Sequence, residues 1–187
     1  ILTSAVLLIV LVIIIIYAVY RYNQSNLESV VLVDSPIKLY GMSEAKRFSS
    51  KDMTSVSHGQ SFTYSLWLYI VDYDDASNDH RLVFMRNDSE DDLNGANPIV
   101  FMDGRTNRMY IAARTNTSRE VSDLADLVPQ RPSGKNANNF LTATIEYVPL
   151  QRWVNVVVVF QDNLMTVFLD GDMYAVRNVH DLWNRDT

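Results

Sequence analysis

From Ile1 to Tyr20 the chain carries no charged residue and only two polar ones, Thr3 and Ser4. At 1.5 Å per residue a helix of that length spans about 30 Å, the thickness of a bilayer's hydrocarbon layer. The β-branched run Ile13 to Ile16 does not argue against a helix in lipid, where a helix satisfies its own backbone polar groups and an open strand does not. Tyr17, Tyr20, Arg21 and Tyr22 close the stretch with an aromatic and basic collar suited to a headgroup boundary. A buried core helix would show a polar face, and none is visible. A cleavable signal peptide would have a shorter apolar region and small residues before the cut, whereas Tyr17 to Tyr20 is bulky. Residues 1–22 are therefore expected to form an uncleaved, single-pass transmembrane anchor.

This segment explains a misleading average. The mean hydropathy of −0.05 resembles that of an ordinary soluble protein, yet without the apolar run the chain is roughly 43% apolar, a normal globular value. The absence of cysteine excludes disulfides, Cys-ligated zinc or iron–sulfur centres, and thiol nucleophiles. A net charge of −6 argues against a dedicated duplex nucleic-acid binder, which needs a concentrated surplus of Lys and Arg.

After a polar spacer at 23–29, residues 30–187 read as one β domain. Val30 to Val33 and Pro36 to Tyr40, short apolar pieces broken by Asp34-Ser35-Pro36, suggest an edge strand leading into the domain. In Phe62 to Val71 both alternating faces become apolar, which predicts a strand covered on both sides. Further strands are expected at Arg81 to Arg86, Pro98 to Met102, Arg108 to Arg114, Leu141 to Val148, Trp153 to Gln161, Leu164 to Leu169 and Met173 to Arg177. Asp162-Asn163, Asp170-Gly171 and Asp103-Gly104 read as tight hairpin turns. Val121, Leu124, Ala125 and Val128 have helical spacing and predict a short helix over Val121 to Val128, followed by a long surface loop from Pro129 to Asn139. Many short strands joined by hairpins indicate an antiparallel β-sandwich.

Two stretches resemble a known pattern. Ser61 to Ile70 (SFTYSLWLYI) is similar to the "F-T-x-S-x-W" strand of laminin-G and pentraxin-like domains, with Trp67 at its centre. Pro149 to Phe160 (PLQRWVNVVVVF), which contains Trp153, and the run ending in Leu169-Asp170-Gly171 resemble the closing "W-x-x-V-x-V … L-D-G" hairpin of those domains. The resemblance implies a concanavalin A-like jelly roll. A small, cysteine-free, membrane-anchored domain with this ending also resembles minor capsid proteins of large icosahedral double-stranded DNA viruses, such as the algal chloroviruses. That likeness implies a non-enzymatic structural role in the virion, in which the protein ties an inner membrane to capsid shell proteins. A membrane-anchored, possibly calcium-dependent lectin that binds a glycan is the alternative.

Beside this resemblance the residues offer few constellations that carry chemistry. The hydrolases of the concanavalin A-like class need E-x-D-x-x-E on one strand, and here Glu90-Asp91-Asp92-Leu93-Asn94-Gly95 has Gly at the last place, so no catalytic set is expected. The same acids open like an EF-hand loop, but Phe101 stands where the bidentate Glu belongs. Asp72, Asp74, Asp75, Glu90 and Asp92 are thus the calcium candidates, with solvated acidic loops as the plainer reading. His58, His80 and His180 lack paired ligand spacing and read as surface residues. No G-x-S-x-G elbow or phosphate loop occurs. Trp67, Tyr69 and Tyr73 have the makings of a sugar platform, but at alternate strand positions they are expected to pack between layers. Arg105, Arg108, Arg114 and Arg119 form the densest basic group, available to neighbouring acids or to an acidic partner.

Overall fold

The longest strand shows how the β domain is built. In β6 (Trp153–Gln161) Val154, Val156, Val158 and Phe160 are buried, while Trp153, Asn155, Val157, Val159 and Gln161 alternate with them on the other face. β-branched residues suit this pleated geometry, and a period of two places one set of four on a core. The structure, a computed structural model, describes residues 10–19, 29–37, 46–49, 61–72, 79–87, 92–130, 136–161 and 163–178. The chain divides into two compact units, Ile1–Ser57 and His58–Thr187.

In the first unit, residues 10–19 are helical and exposed. No helix among the described residues is long and apolar enough to cross a membrane. The other parts of the expected anchor, residues 1–9 and 20–22, lie outside the described residues, as do residues 23–28 of the spacer. The edge strand expected at Val30 to Val33 does not form, since residues 29–37 carry no strand. Pro36 has no N–H to donate to a ladder, and the Ser35 hydroxyl turns back to the Asp34 carboxylate at 3.2 Å.

The second unit holds all eight described strands in two four-stranded antiparallel sheets. One sheet has the order β1 (Phe62–Tyr69), β6, β7 (Leu164–Leu169), β8 (Asp172–Asn178). The other has the order β2 (Arg81–Met85), β3 (Ile99–Met102), β4 (Met109–Ala113), β5 (Leu141–Ile145). Every strand expected from the sequence in this region is present, within a few residues at its ends.

The main core lies between the sheets. Val154, Val156, Val158, Phe160, Met165 and Val167 of the first sheet meet Val100, Met102, Met109, Ile111, Ala113, Leu141, Ala143 and Ile145 of the second. Phe62 stacks on Phe160 with ring centroids 4.5 Å apart. The two open sides of the sandwich are laced by tyrosines. Tyr64 of β1 lies 4.8 Å from the Phe84 ring of β2, and its hydroxyl accepts from Arg86 at 3.5 Å. On the other side the Glu146 amide donates to the Tyr174 hydroxyl at 3.0 Å.

The sheet β2-β3-β4-β5 is also covered on its outer face, where Ile99, Phe101, Tyr110 and Ala112 pack under Val121, Leu127 and Phe140 from the long β4–β5 connection. The expected helix over Val121 to Val128 shrinks to one 3₁₀ turn, Leu124–Leu127, whose N-terminus is closed by a capping box between Asp123 and Asp126. Val121, Leu124 and Leu127 recur every third residue, the period of a 3₁₀ turn, and Leu127 is the one fully buried there. The Thr142 hydroxyl, buried on β5, donates to the Leu127 carbonyl at 3.0 Å and fastens the cover to the sheet.

The turns divide. Leu169 pairs directly with Asp172, so Asp170 and Gly171 form the expected two-residue hairpin, with φ of 52° and 90°. Both values are positive, as a type I′ turn demands. Gln161 pairs with Leu164, which brackets the second expected hairpin. Asp103-Gly104 is not a tight hairpin, because Met102 pairs with Met109 and six residues intervene. Asp103 instead organises this loop with its side chain: its Oδ1 accepts from the amides of Arg105 and Thr106 at 2.7 and 3.0 Å.

Because Phe160 is fully buried in the inter-sheet core, Phe160→Ala is expected to destabilise the β domain by about 3–5 kcal/mol. Urea unfolding followed by tryptophan fluorescence measures it; a loss below about 1 kcal/mol would contradict this packing.

Candidate docking surface

Among the described residues of this unit, nothing covers the outer face of the sheet β1-β6-β7-β8 as the β4–β5 connection covers the other sheet. β1 alternates between half-buried Phe62, Tyr64, Leu66 and Leu68 and exposed Thr63, Ser65, Trp67 and Tyr69. The expectation that this strand is covered on both sides is therefore wrong, and so is the expectation that Trp67 and Tyr69 pack between layers. Only four alternate positions of an edge strand reach the inter-sheet core, and Trp67 and Tyr69 belong to the opposite set. Tyr73 lies outside the described residues.

Register extends the face across the sheet. Tyr69 pairs with Trp153, Trp67 with Asn155, Ser65 with Val157 and Thr63 with Val159. Val157 then pairs with Phe168, Val159 with Thr166, and Gln161 with Leu164. Thr166 pairs with Val176, Leu164 with Asn178, and Phe168 with Met173 beside a bulge. None of these residues is charged. Trp67 is 63% exposed, Trp153 48%, Tyr69 45% and Met173 66%. The Tyr69 and Trp153 rings meet at 5.5 Å, a cross-strand aromatic pair that leaves both open to solvent. Trp153, at the start of β6, thus lies outside the inter-sheet core.

Asp170 and Arg152 stand at one end of this face. The Asp170 Oδ1 accepts the Asn155 amide at 2.8 Å, and its Oδ2 takes Arg152 Nη2 at 2.7 Å. The backbone hydrogen bond from Asn155 and the hydrogen bond from Arg152 hold this carboxyl below the usual aspartate range. The Leu169-Asp170-Gly171 motif is accordingly a structural clasp between the hairpin and β6.

The remaining sequence candidates that fall among the described residues do not come together. Among the described residues, no group of three or more His, Cys, Asp or Glu side chains is placed to hold a metal. Asp72 is exposed just past the end of β1. Asp74, Asp75 and Glu90 lie outside the described residues. Asp92 caps the 3₁₀ turn Leu93–Gly95 by accepting the Asn94 amide at 2.8 Å. Asn94, which occupies a ligand position of the EF-hand reading, instead bridges to Val121, accepting its amide at 2.8 Å and donating to its carbonyl at 3.1 Å. The loop is knitted to the cover of the second sheet by its own amide.

The four arginines are separated, with Arg105 and Arg108 before β4 and Arg114 and Arg119 after it. Five strand residues put about 17 Å between those ends. Arg108 pairs with Glu146 at 2.9 Å, and Arg114 lies over the Phe140 ring at 5.9 Å. His80 is half-buried, with its ring 5.7 Å from that of Phe101, so it is not a free surface residue. His58 and His180, like Tyr20, Arg21 and Tyr22 of the collar, lie outside the described residues, while Tyr17 is exposed on its helix.

One part-buried pair is not announced by the sequence. The Tyr110 hydroxyl donates to Asp103 Oδ2 at 3.1 Å. Burial and this acceptor push the phenol up to about 12. For Asp103, burial acts to raise the carboxyl, but the amides of Arg105 and Thr106 and the Tyr110 hydroxyl outweigh it and lower it. The hydrogen bond ties β4 to the side chain that organises the β3–β4 loop.

Two outcomes follow from these placements. Trp67→Ser is expected to shift the melting temperature by no more than about 2–3 °C, because the ring is outside the core; a shift above about 10 °C would return it to the interior. Asp170→Asn tests the clasp. A depressed carboxyl contributes stability above its unfolded value and loses it as pH falls through the folded one. The variant should therefore melt below wild type at pH 7, with the gap closing as pH drops below the ordinary value of 3.8. A gap independent of pH would show that the charge is not what matters.

No protein-family model, curated protein or solved structure matches this chain.

Proposed function

We propose that the chain is a non-enzymatic structural protein, anchored in a membrane by residues 1–22, whose β-sandwich docks on other protein subunits. In the fuller form of this reading the sandwich is a laminin-G-like jelly roll and the protein is a minor capsid component joining an inner viral membrane to the shell. The observation that carries the docking role is the uncharged, aromatic-rich outer face of the sheet β1-β6-β7-β8. Exposed apolar patches beyond a few hundred Å² mark interaction sites on soluble domains. The anchor is supported by the length and hydropathy of Ile1 to Tyr20.

The same rings support a second reading, a lectin in which Trp67, Tyr69 and Trp153 stack on a sugar. A glycan also needs hydrogen-bonding groups for its hydroxyls, and the amide nearest Trp67 is already committed. Asn155 Nδ2 donates to the Ser65 hydroxyl and to the Leu66 carbonyl, each at 3.2 Å. The rest of the face continues as Val157, Val159, Phe168 and Leu164, which suits a protein surface better than a sugar.

Fractionation of the assembly that contains the chain tests the proposal. The protein is expected to resist alkaline carbonate extraction from membranes and to enter solution only with detergent. Trp153→Arg should keep the fold, yet lose co-purification with the shell subunits. Recovery of the wild-type chain in the soluble fraction would refute the anchor, and specific glycan-array binding by the domain would favour the lectin.

A further inference from the structure

The occupant of the bare sheet face can be argued from its charge, its area and its symmetry. The face contains Thr, Ser, Asn, Gln, Trp, Tyr, Val, Leu, Phe and Met, none of them charged at pH 7, and the Arg152 and Asp170 charges at its end neutralise each other. The chain as a whole carries a net charge of −6. A nucleic acid, an anionic membrane surface or a charged peptide would find no counter-charge on it to read. The complementary surface has to be flat, neutral and apolar, with the strand twist of a sheet.

Area points the same way. Aromatic side chains bring about 150–250 Å² each. At the exposures of Trp67, Tyr69, Trp153 and Met173 given above, with Leu164 and Val176 nearly half exposed, the side chains leave on the order of 600 Å² open. The polar positions Thr63, Ser65 and Gln161 and the half-buried Val157, Val159 and Phe168 bring the face to about the 800 Å² per partner of a standard stable interface. Two such faces would pack about 10 Å apart, as sheets do inside a sandwich.

We infer that this face is the contact between two copies of the chain, related by a two-fold axis near Val157 and Phe168. Those residues sit in the two middle strands of the sheet, paired with each other. At a two-fold axis each side chain meets its own copy, so a charge there would face itself, whereas Val and Phe do not suffer that repulsion. This inference rests on reading the face as a docking surface, and it names the occupant.

The lack of native cysteine makes the test direct. Val157→Cys in the full chain, purified in detergent, should give a disulfide-linked dimer under mild oxidation. Ser122→Cys, exposed on the cover of the opposite sheet, should stay monomeric. Sedimentation equilibrium should show a wild-type dimer that tightens with added salt, because two chains of like charge approach across a neutral face. Trp67→Lys, at the most exposed ring, should weaken it at least about tenfold while retaining the wild-type unfolding transition.

A monomeric wild type at about 100 μM, where even a weak dimer of micromolar Kd is populated, overturns the second copy as occupant. So does equal cross-linking of the two cysteine variants. If Trp67→Lys and Trp153→Arg nevertheless abolish co-purification with shell subunits, the docking reading survives with a different partner. If they leave co-purification intact as well, both readings fall together.

Discussion

Everything in the β domain hangs on one strand's ability to serve three neighbours. β6 is hydrogen-bonded to β1 on one side and β7 on the other, and through Val154, Val156, Val158 and Phe160 it fills the space between the sheets. Register is what makes this possible. A slip by one residue would send Trp153, Asn155 and Gln161 into the core and turn four buried side chains into water. Asp170 guards against that slip, since its carboxylate and its amide both engage Asn155, fixing the β7–β8 hairpin against one residue of β6. With no cysteine to staple the sheets, this registry and the packing it permits are the covalent-free substitute.

Period-two patterning made the second unit's strands legible, and the Asp170-Gly171 hairpin followed from the need for positive φ. What the pattern could not say was which face of a strand is inside when both are apolar. In Phe62 to Tyr69 the larger rings, Trp67 and Tyr69, ended on the outside, because facing is set by the partner strand and the opposite sheet, not by side-chain size. The reverse happened to Asp103 and Asp92, which read as a turn residue and a calcium candidate. Each spends its carboxylate on nearby backbone amides, a local use that composition does not distinguish from metal binding. Asn94 and Val121 meet across 27 positions, a contact no local spacing announces.

The two sheets meet water differently. On β2-β3-β4-β5 the outer residues Phe101, Tyr110 and Ala112 are roofed by the long connection through Leu127 and Phe140. That roof is held by hydrogen bonds from Thr142 and Asn94, so it belongs to the fold. It also explains why β3 and β4 are buried on both faces and read as continuous apolar runs. The sheet β1-β6-β7-β8 carries a more mixed outer face of aromatic, aliphatic and uncharged polar residues, and among the described residues no such roof lies on it.

Strand preference alone accounts for part of that bare face but not for all of it. Val157, Val159, Thr166 and Val176 are β-branched and would be favoured in any strand, buried or not. Met173 and Leu164 have no such preference, and Trp67 is 63% exposed beside Asn155. An antiparallel sheet with one solvated face ordinarily alternates apolar with polar or charged side chains, and here the fifteen outer positions named above include no charge. Leaving them so invites aggregation unless something covers them, and natural sheets usually avoid that hazard with lysine or glutamate. That composition is what the proposed contact surface rests on, with Trp67, Tyr69 and Trp153 as the anchoring rings it would use and the valines as the flat ground between them.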